Sequence, residues 1–136
     1  MGLAGGCMCG AVRYEADGEP FHLTLCHCRD CRRASGAPAL AWFSVRRDAL
    51  RFTHGTPALR RSSPGAQRQF CADCGTQLTW LGDDVPDEVD VTLCSLDDPD
   101  ALAPADHTFH SQRVRWLHLA DTLPRYPTCR AKGTQP

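Results

Sequence analysis

The sequence predicts a small, mainly β single domain whose sheets are organised around clustered cysteines. Three observations carry that prediction. The chain has 136 residues, a length that suits one domain able to bury its own core. Its apolar runs are short and rich in β-branched and aromatic residues, and none keeps a helical period over several turns. Seven of its nine cysteines fall into three tight groups, at spacings that suit metal ligands.

Taken in order, strands are expected over Ala11–Ala16, Phe21–Leu25, Leu40–Val45, Leu50–Thr53, Arg68–Phe70, Gln77–Leu81 and Val89–Leu93. Turn chemistry separates them: Gly18-Glu19-Pro20, His54-Gly55-Thr56-Pro57, Ser63-Pro64-Gly65 and Gly82-Asp83-Asp84, since glycine and proline punctuate regular structure. Arg46–Ala49 and Asp98–Leu102 each suit one helical turn. In the Leu40–Val45 strand, alternation sends one of Trp42 and Phe43 to the core and leaves the other to line a cleft. The acids Asp83, Asp84, Asp87 and Glu88 flank a turn and read as solvated. The domain spans residues 1–136, with a frayed tail from about residue 130.

The cysteines carry the chemistry. Cys7 and Cys9 form C-x-C, Cys26, Cys28 and Cys31 form C-x-C-x-x-C, and Cys71 and Cys74 form C-x-x-C. Neighbours one or two residues apart reach disulfide geometry only with strain, whereas a turn aims both sulfurs at one metal. Glycines at positions 5, 6, 10 and 75 supply such turns. Zinc takes thiolates in a tetrahedral array, four in a closed structural site and three in an open one. The economical division joins Cys7 and Cys9 with Cys71 and Cys74, leaving Cys26, Cys28 and Cys31 on a second zinc with an open position. Spacing leaves that pairing undecided, because the triple plus one cysteine from elsewhere also makes a closed site. A four-cysteine iron–sulfur cluster would need a partner that the triple lacks.

Composition excludes several classes. A formal net charge of −1 gives no basic tract to neutralise phosphates, so no nucleic-acid partner is expected. The longest apolar stretch, Ala37–Phe43, is too short for a bilayer, and no membrane role is expected. The N-terminus lacks a basic segment followed by an apolar run, so a cytoplasmic location is expected. There is no Ser-His-Asp order, phosphate loop or dinucleotide fingerprint.

The motifs together carry a resemblance. They are Gly6-Cys7-Met8-Cys9-Gly10-Ala11-Val12-Arg13-Tyr14 and Cys26-His27-Cys28-Arg29-Asp30-Cys31-Arg32-Arg33-Ala34-Ser35-Gly36-Ala37-Pro38, followed by Ser62-Ser63-Pro64-Gly65. Arg68-Gln69-Phe70-Cys71-Ala72-Asp73-Cys74-Gly75-Thr76, Ser95-Leu96-Asp97-Asp98-Pro99 and Leu123-Pro124-Arg125-Tyr126 complete the set. In that order they resemble the glutathione-dependent formaldehyde-activating enzyme family, which also includes centromere protein V. The resemblance runs from about Gly5 to Pro127. It implies a β-rich fold of small sheets around metal, with Cys7, Cys9, Cys71 and Cys74 on a structural zinc and Cys26, Cys28 and Cys31 on an open one. It also implies carbon–sulfur lyase chemistry: condensation of glutathione with formaldehyde to S-hydroxymethylglutathione.

The residues fit that chemistry. A metal ion deprotonates a coordinating thiol, and a thiolate held near an aldehyde gains from proximity. Glutathione carries two carboxylates, and Arg32 and Arg33 can pair with them bidentately; their plainer reading is two exposed charges on a turn. Arg68 is placed near the first group. His27, between two ligands, is expected to point away from the metal, toward solvent or behind the ligands. His107 and His110 are expected on a surface loop. Cys94 reads as a buried thiol and Cys129 as a tail thiol; Cys94 at the triple would instead close it. The alternative to an enzyme is a zinc-stabilised binding module, or a thiol or metal carrier.

Overall fold

The computed structural model describes residues 2–130, and the expected frayed end from Gly133 lies outside them. Ten strands and one α-helix form among these residues. β1 (Leu3–Gly6), β2 (Arg13–Ala16) and β5 (Leu50–His54) make a small antiparallel sheet in the order β1-β2-β5. The large sheet contains β3 (Phe21–Cys26), β4 (Leu40–Arg46), β6 (Ala58–Ser63), β7 (Ala66–Phe70), β8 (Gln77–Gly82), β9 (Glu88–Thr92) and β10 (Asp106–Thr108). Its order is β10-β3-β4-β9-β8-β7-β6, with β10 parallel to β3 and the other pairs antiparallel.

Strand alternation gives the large sheet two different faces. Phe43, Val45, Leu78, Val89 and Val91 point to one side and join Leu3, Val12, Tyr14 and Ala16 of the small sheet in one buried cluster. Full burial of each such large apolar side chain stabilises by about 1.5–3 kcal/mol. The opposite face carries Trp42 and Ser44 of β4. Register then runs a row across the sheet, Ser44 beside Asp90, Asp90 beside Trp80 and Trp80 beside Arg68. This second face is the floor of a cleft, so β4 is buried on both sides although only one side is core.

Elements absent from the sequence reading have weak local signals. β1 reads Leu-Ala-Gly-Gly, which the composition of strands disfavours. β6 is an edge strand with Arg60 and Arg61 exposed, a charged edge of the kind that prevents pairing with other chains. β10 has three residues. The helix α1 (Arg29–Ser35) is two turns long, too short to show a period. It begins at Cys28, whose Sγ accepts from the Cys31 N–H at 3.2 Å, and ends at Gly36, whose N–H donates to the Arg32 carbonyl. Arg32 and Arg33 therefore sit in the last turn of a helix, not on a turn between strands. The two expected helical turns form as 3-10 turns, Arg47–Ala49 and Pro99–Ala101. No helix among the described residues is long and apolar enough to cross a membrane.

Candidate metal centres

Two matching turns build the first cysteine group. After β1, the Cys7 N–H donates to the Val12 carbonyl and the Gly10 N–H returns to the Cys7 carbonyl. After β7, the Cys71 N–H donates to the Thr76 carbonyl and the Gly75 N–H returns to the Cys71 carbonyl. Gly10 and Gly75 hold φ of 82° and 81°, a left-handed conformation that costs other residues strain. The turns are joined by the Met8 N–H donating to Thr76 Oγ1 at 3.0 Å. All four sulfurs of Cys7, Cys9, Cys71 and Cys74 lie within 4.8 Å of one another. Cys9 Sγ is 3.6 Å from Cys7 Sγ and 3.8 Å from Cys71 Sγ. A tetrahedral metal with bonds of about 2.3 Å sets its sulfurs about 3.8 Å apart, so the group fits such an ion. Thiolate character is shared unevenly: Cys74 is held low, to about 5, chiefly by the Thr76 hydroxyl, while Cys9 is raised to about 12.

The second group stands where β3 meets α1. Cys26 ends the strand, Cys28 caps the helix and Cys31 lies in its first turn, with their sulfurs within 4.8 Å of one another. Trp42 is buried against Cys26 and Cys31, and Cys28, Leu40, Trp80 and Phe109 pack around them. Cys28 is pushed down to about 2, first by its contact with the Cys26 sulfur, then by Cys31, and Cys26 is correspondingly raised. No fourth cysteine, histidine or carboxylate joins this group among the described residues. Cys94 is exposed on a 3-10 turn, not buried, because Val91 and Leu93 take the core positions around it. Cys129 is exposed and lines the cleft.

The cleft above the triple has a volume of about 790 Å³. Cys26, Cys28 and Cys31 lie at its wall with Trp42, Trp80 and Phe109. Phe43 is in the core and Trp42 faces the cleft, the division that alternation predicts. Arg29, Arg68 and Arg130 line this cleft. Arg33, with Arg29, Arg60 and Arg68, lines an adjoining hollow, and Arg32 spends its Nε on the His27 carbonyl at 3.3 Å. Arg68 is a correction: three residues before Cys71, it faces the other group, with Nη2 3.6 Å from Cys31 Sγ.

His107 is also a correction, and of the two places open to His27, solvent or behind the ligands, it takes the buried one. His27 is 3 % exposed and His107 1 %, neither of them on a solvent-facing loop. His107 lies in β10 beside Leu25, and its Nε2 is 3.0 Å from Asp121. His107 Nδ1 is 2.8 Å from His27 Nε2. With the Asp121 carboxylate accepting from Nε2–H, Nδ1 of His107 accepts from Nε2–H of His27. His110 packs edge-on against both rings. Burial, then the neighbouring His107, holds His27 down to about 4. The residue between two ligands of an extended segment points to the opposite face. That signal was present in Cys26-His27-Cys28, but the partners that bury His27 are about 80 residues on.

The chain is thus a mainly β protein with two cysteine groups, each able to hold a metal ion, one joining the turns after β1 and β7 and one at a cleft. The sequence model of glutathione-dependent formaldehyde-activating enzymes matches residues 2–112, and the chain belongs to that family. A Halomonas elongata protein named for glutathione-dependent formaldehyde activation is 29 % identical over 131 residues, covering 88 % of this chain and 82 % of that one. An uncharacterized lyase of Schizosaccharomyces pombe is 32 % identical over 74 residues, 54 % of this chain. That match spans about half (53 %) of the yeast protein. The crystal structure of a Rhodobacter sphaeroides protein from structural genomics superposes with a TM-score of 0.60 at 28 % identity, covering 77 % of this chain and 99 % of the other.

Proposed function

We propose that this protein condenses a small thiol of the glutathione type with formaldehyde or another small aldehyde, as a zinc-dependent carbon–sulfur lyase. The observation that carries the reading is the contrast between the two groups. One has four cysteines joined across sheets; the other has three, at the wall of a 790 Å³ cleft. In this reading Cys7, Cys9, Cys71 and Cys74 hold a structural zinc, and Cys26, Cys28 and Cys31 hold one with a free position. Zinc in the second group supplies one thing, the holding of an incoming thiol as thiolate at neutral pH.

The remaining work falls to the protein's own residues. Trp42, Trp80 and Phe109 give the cleft dry walls that keep water from the reacting groups. Asp90, the neighbour of Trp80 in the cross-strand row, also lines the cleft, and burial raises its carboxyl above the ordinary range. For the thiol's carboxylates the reading assigns Arg33, exposed in the adjoining hollow, and the free N–H groups of Arg32. The reaction balances without a redox partner. The S–H bond breaks, the sulfur bonds to the carbonyl carbon, the carbonyl π electrons move to oxygen, and that oxygen takes the proton the thiol gave up.

Reduced, zinc-loaded protein should accelerate glutathione-dependent loss of free formaldehyde, and glutathione should perturb one of two zincs per chain. Two zincs indifferent to glutathione, with no acceleration, would refute the enzyme and leave a zinc-stabilised binding module.

A further inference from the structure

Arg68 is a buried cation without an acid. It is 6 % exposed, and among the described residues no carboxylate lies within 4.0 Å of it, whereas Arg29 and Arg130 in the same cleft pair with Asp30 and Asp106. Its Nε and Nη1 are buried with no hydrogen-bond partner. Its guanidinium lies 5.9 Å from the Trp42 ring centroid, and its Nη2 is 3.6 Å from Cys31 Sγ. A guanidinium stays charged at any working pH, and a buried charge needs a compensating one.

We infer that Arg68 is the counter-charge of the three-cysteine site, a positioning residue that lets the site accept a further anionic sulfur. The inference rests on the function proposed above. Three thiolates around a divalent ion leave one net negative charge, and Arg68 cancels it. An entering thiolate then leaves the site one charge negative instead of two. The cross-strand row brings this about: Arg68 faces the cleft opposite Trp80, on the side to which α1 delivers Cys31. The arrangement predicts that Arg68 acts on sulfur, so its effect extends to thiols that carry no carboxylate.

The test uses cobalt-loaded protein, with sulfur-to-cobalt absorption as the readout and mercaptoethanol and glutathione as probes. Arg68→Gln should bind both thiols about tenfold or more weakly, the scale of one near charge at low dielectric, and Arg68→Lys should recover part of that loss. Because the loaded site carries one net negative charge, Arg68→Gln should also yield its metal to a chelator severalfold more readily than wild type, and Arg68→Lys should recover part of that loss. Metal loss in Arg68→Gln that Arg68→Lys does not recover would mean a merely structural role and overturn the inference. So would unchanged affinity for mercaptoethanol with a loss confined to glutathione, since Arg68 would then read a carboxylate. If wild-type protein binds neither thiol, the proposed function falls, and the chelator comparison alone decides the counter-charge: retention by Arg68→Gln equal to or better than wild type overturns it.

Discussion

Tyr14 shows how one residue ties the two sheets. Its ring is in the core, and its hydroxyl is 2.7 Å from Ser95 Oγ. Ser95 already donates to the Thr92 carbonyl, so Tyr14 is the donor. Burial raises the phenol from 10.0 to about 12. A raised acid contributes stability that is complete below pH 10 and is lost as pH climbs from about 10 to about 12. Tyr14→Phe should cost about 1 kcal/mol near neutrality. It should also flatten the alkaline loss, on the order of 2 kcal/mol in wild type. Urea melts at pH 8 and pH 11, compared between the two proteins, isolate this group from the thiols, which both share.

At the scale of elements, β1 is a strand made of residues that rarely form strands, and it holds because nothing larger fits. Gly5 pairs with Tyr14 and bridges to Leu96. A Cβ there would fall 2.4 Å from both the Ser95 carbonyl and the Tyr14 hydroxyl. Gly5→Ala should therefore destabilise by about 1–3 kcal/mol, measured as a lower urea midpoint at unchanged slope. An unchanged midpoint would mean that β1 contributes little to the fold. The helix α1 is likewise set by local contacts: Cys28 caps it through sulfur, and serine caps by the same geometry. Cys28→Ser should leave α1 in place while removing a metal ligand.

The whole molecule is where the two cysteine groups differ. Cys9 and Cys71 are 62 residues apart, so metal at the first group closes a long loop between the small sheet and β7. The second group joins residues within one strand–helix junction. Closing a long loop removes more unfolded-chain entropy than closing a short one, and metal binding there is folding free energy. Cys28→Ser is expected to lose one zinc and remain folded, and Cys71→Ser to unfold, read by metal content and circular dichroism on the same samples. Equal unfolding of both variants would remove the division into a structural and an open site.

Much of this protein was legible in the chain itself, because its signals are local. Seven strands followed from alternation and turn residues. The turns at Cys7–Gly10 and Cys71–Gly75 followed from cysteine spacing and glycine, and the ordered motifs pointed to the family whose model matches residues 2–112. What only the tertiary structure decided is which distant pieces meet. Register placed Arg68 at Cys31 and not beside its sequence neighbour Cys71. The parallel pairing of β10 with β3 buried His107 against His27. The order β4-β9-β8-β7 gathered Trp42, Asp90, Trp80 and Arg68 onto one face above the triple. A two-residue period says that a side chain faces one side or the other, but strand order, set by the burial of the whole core, determines its neighbours there.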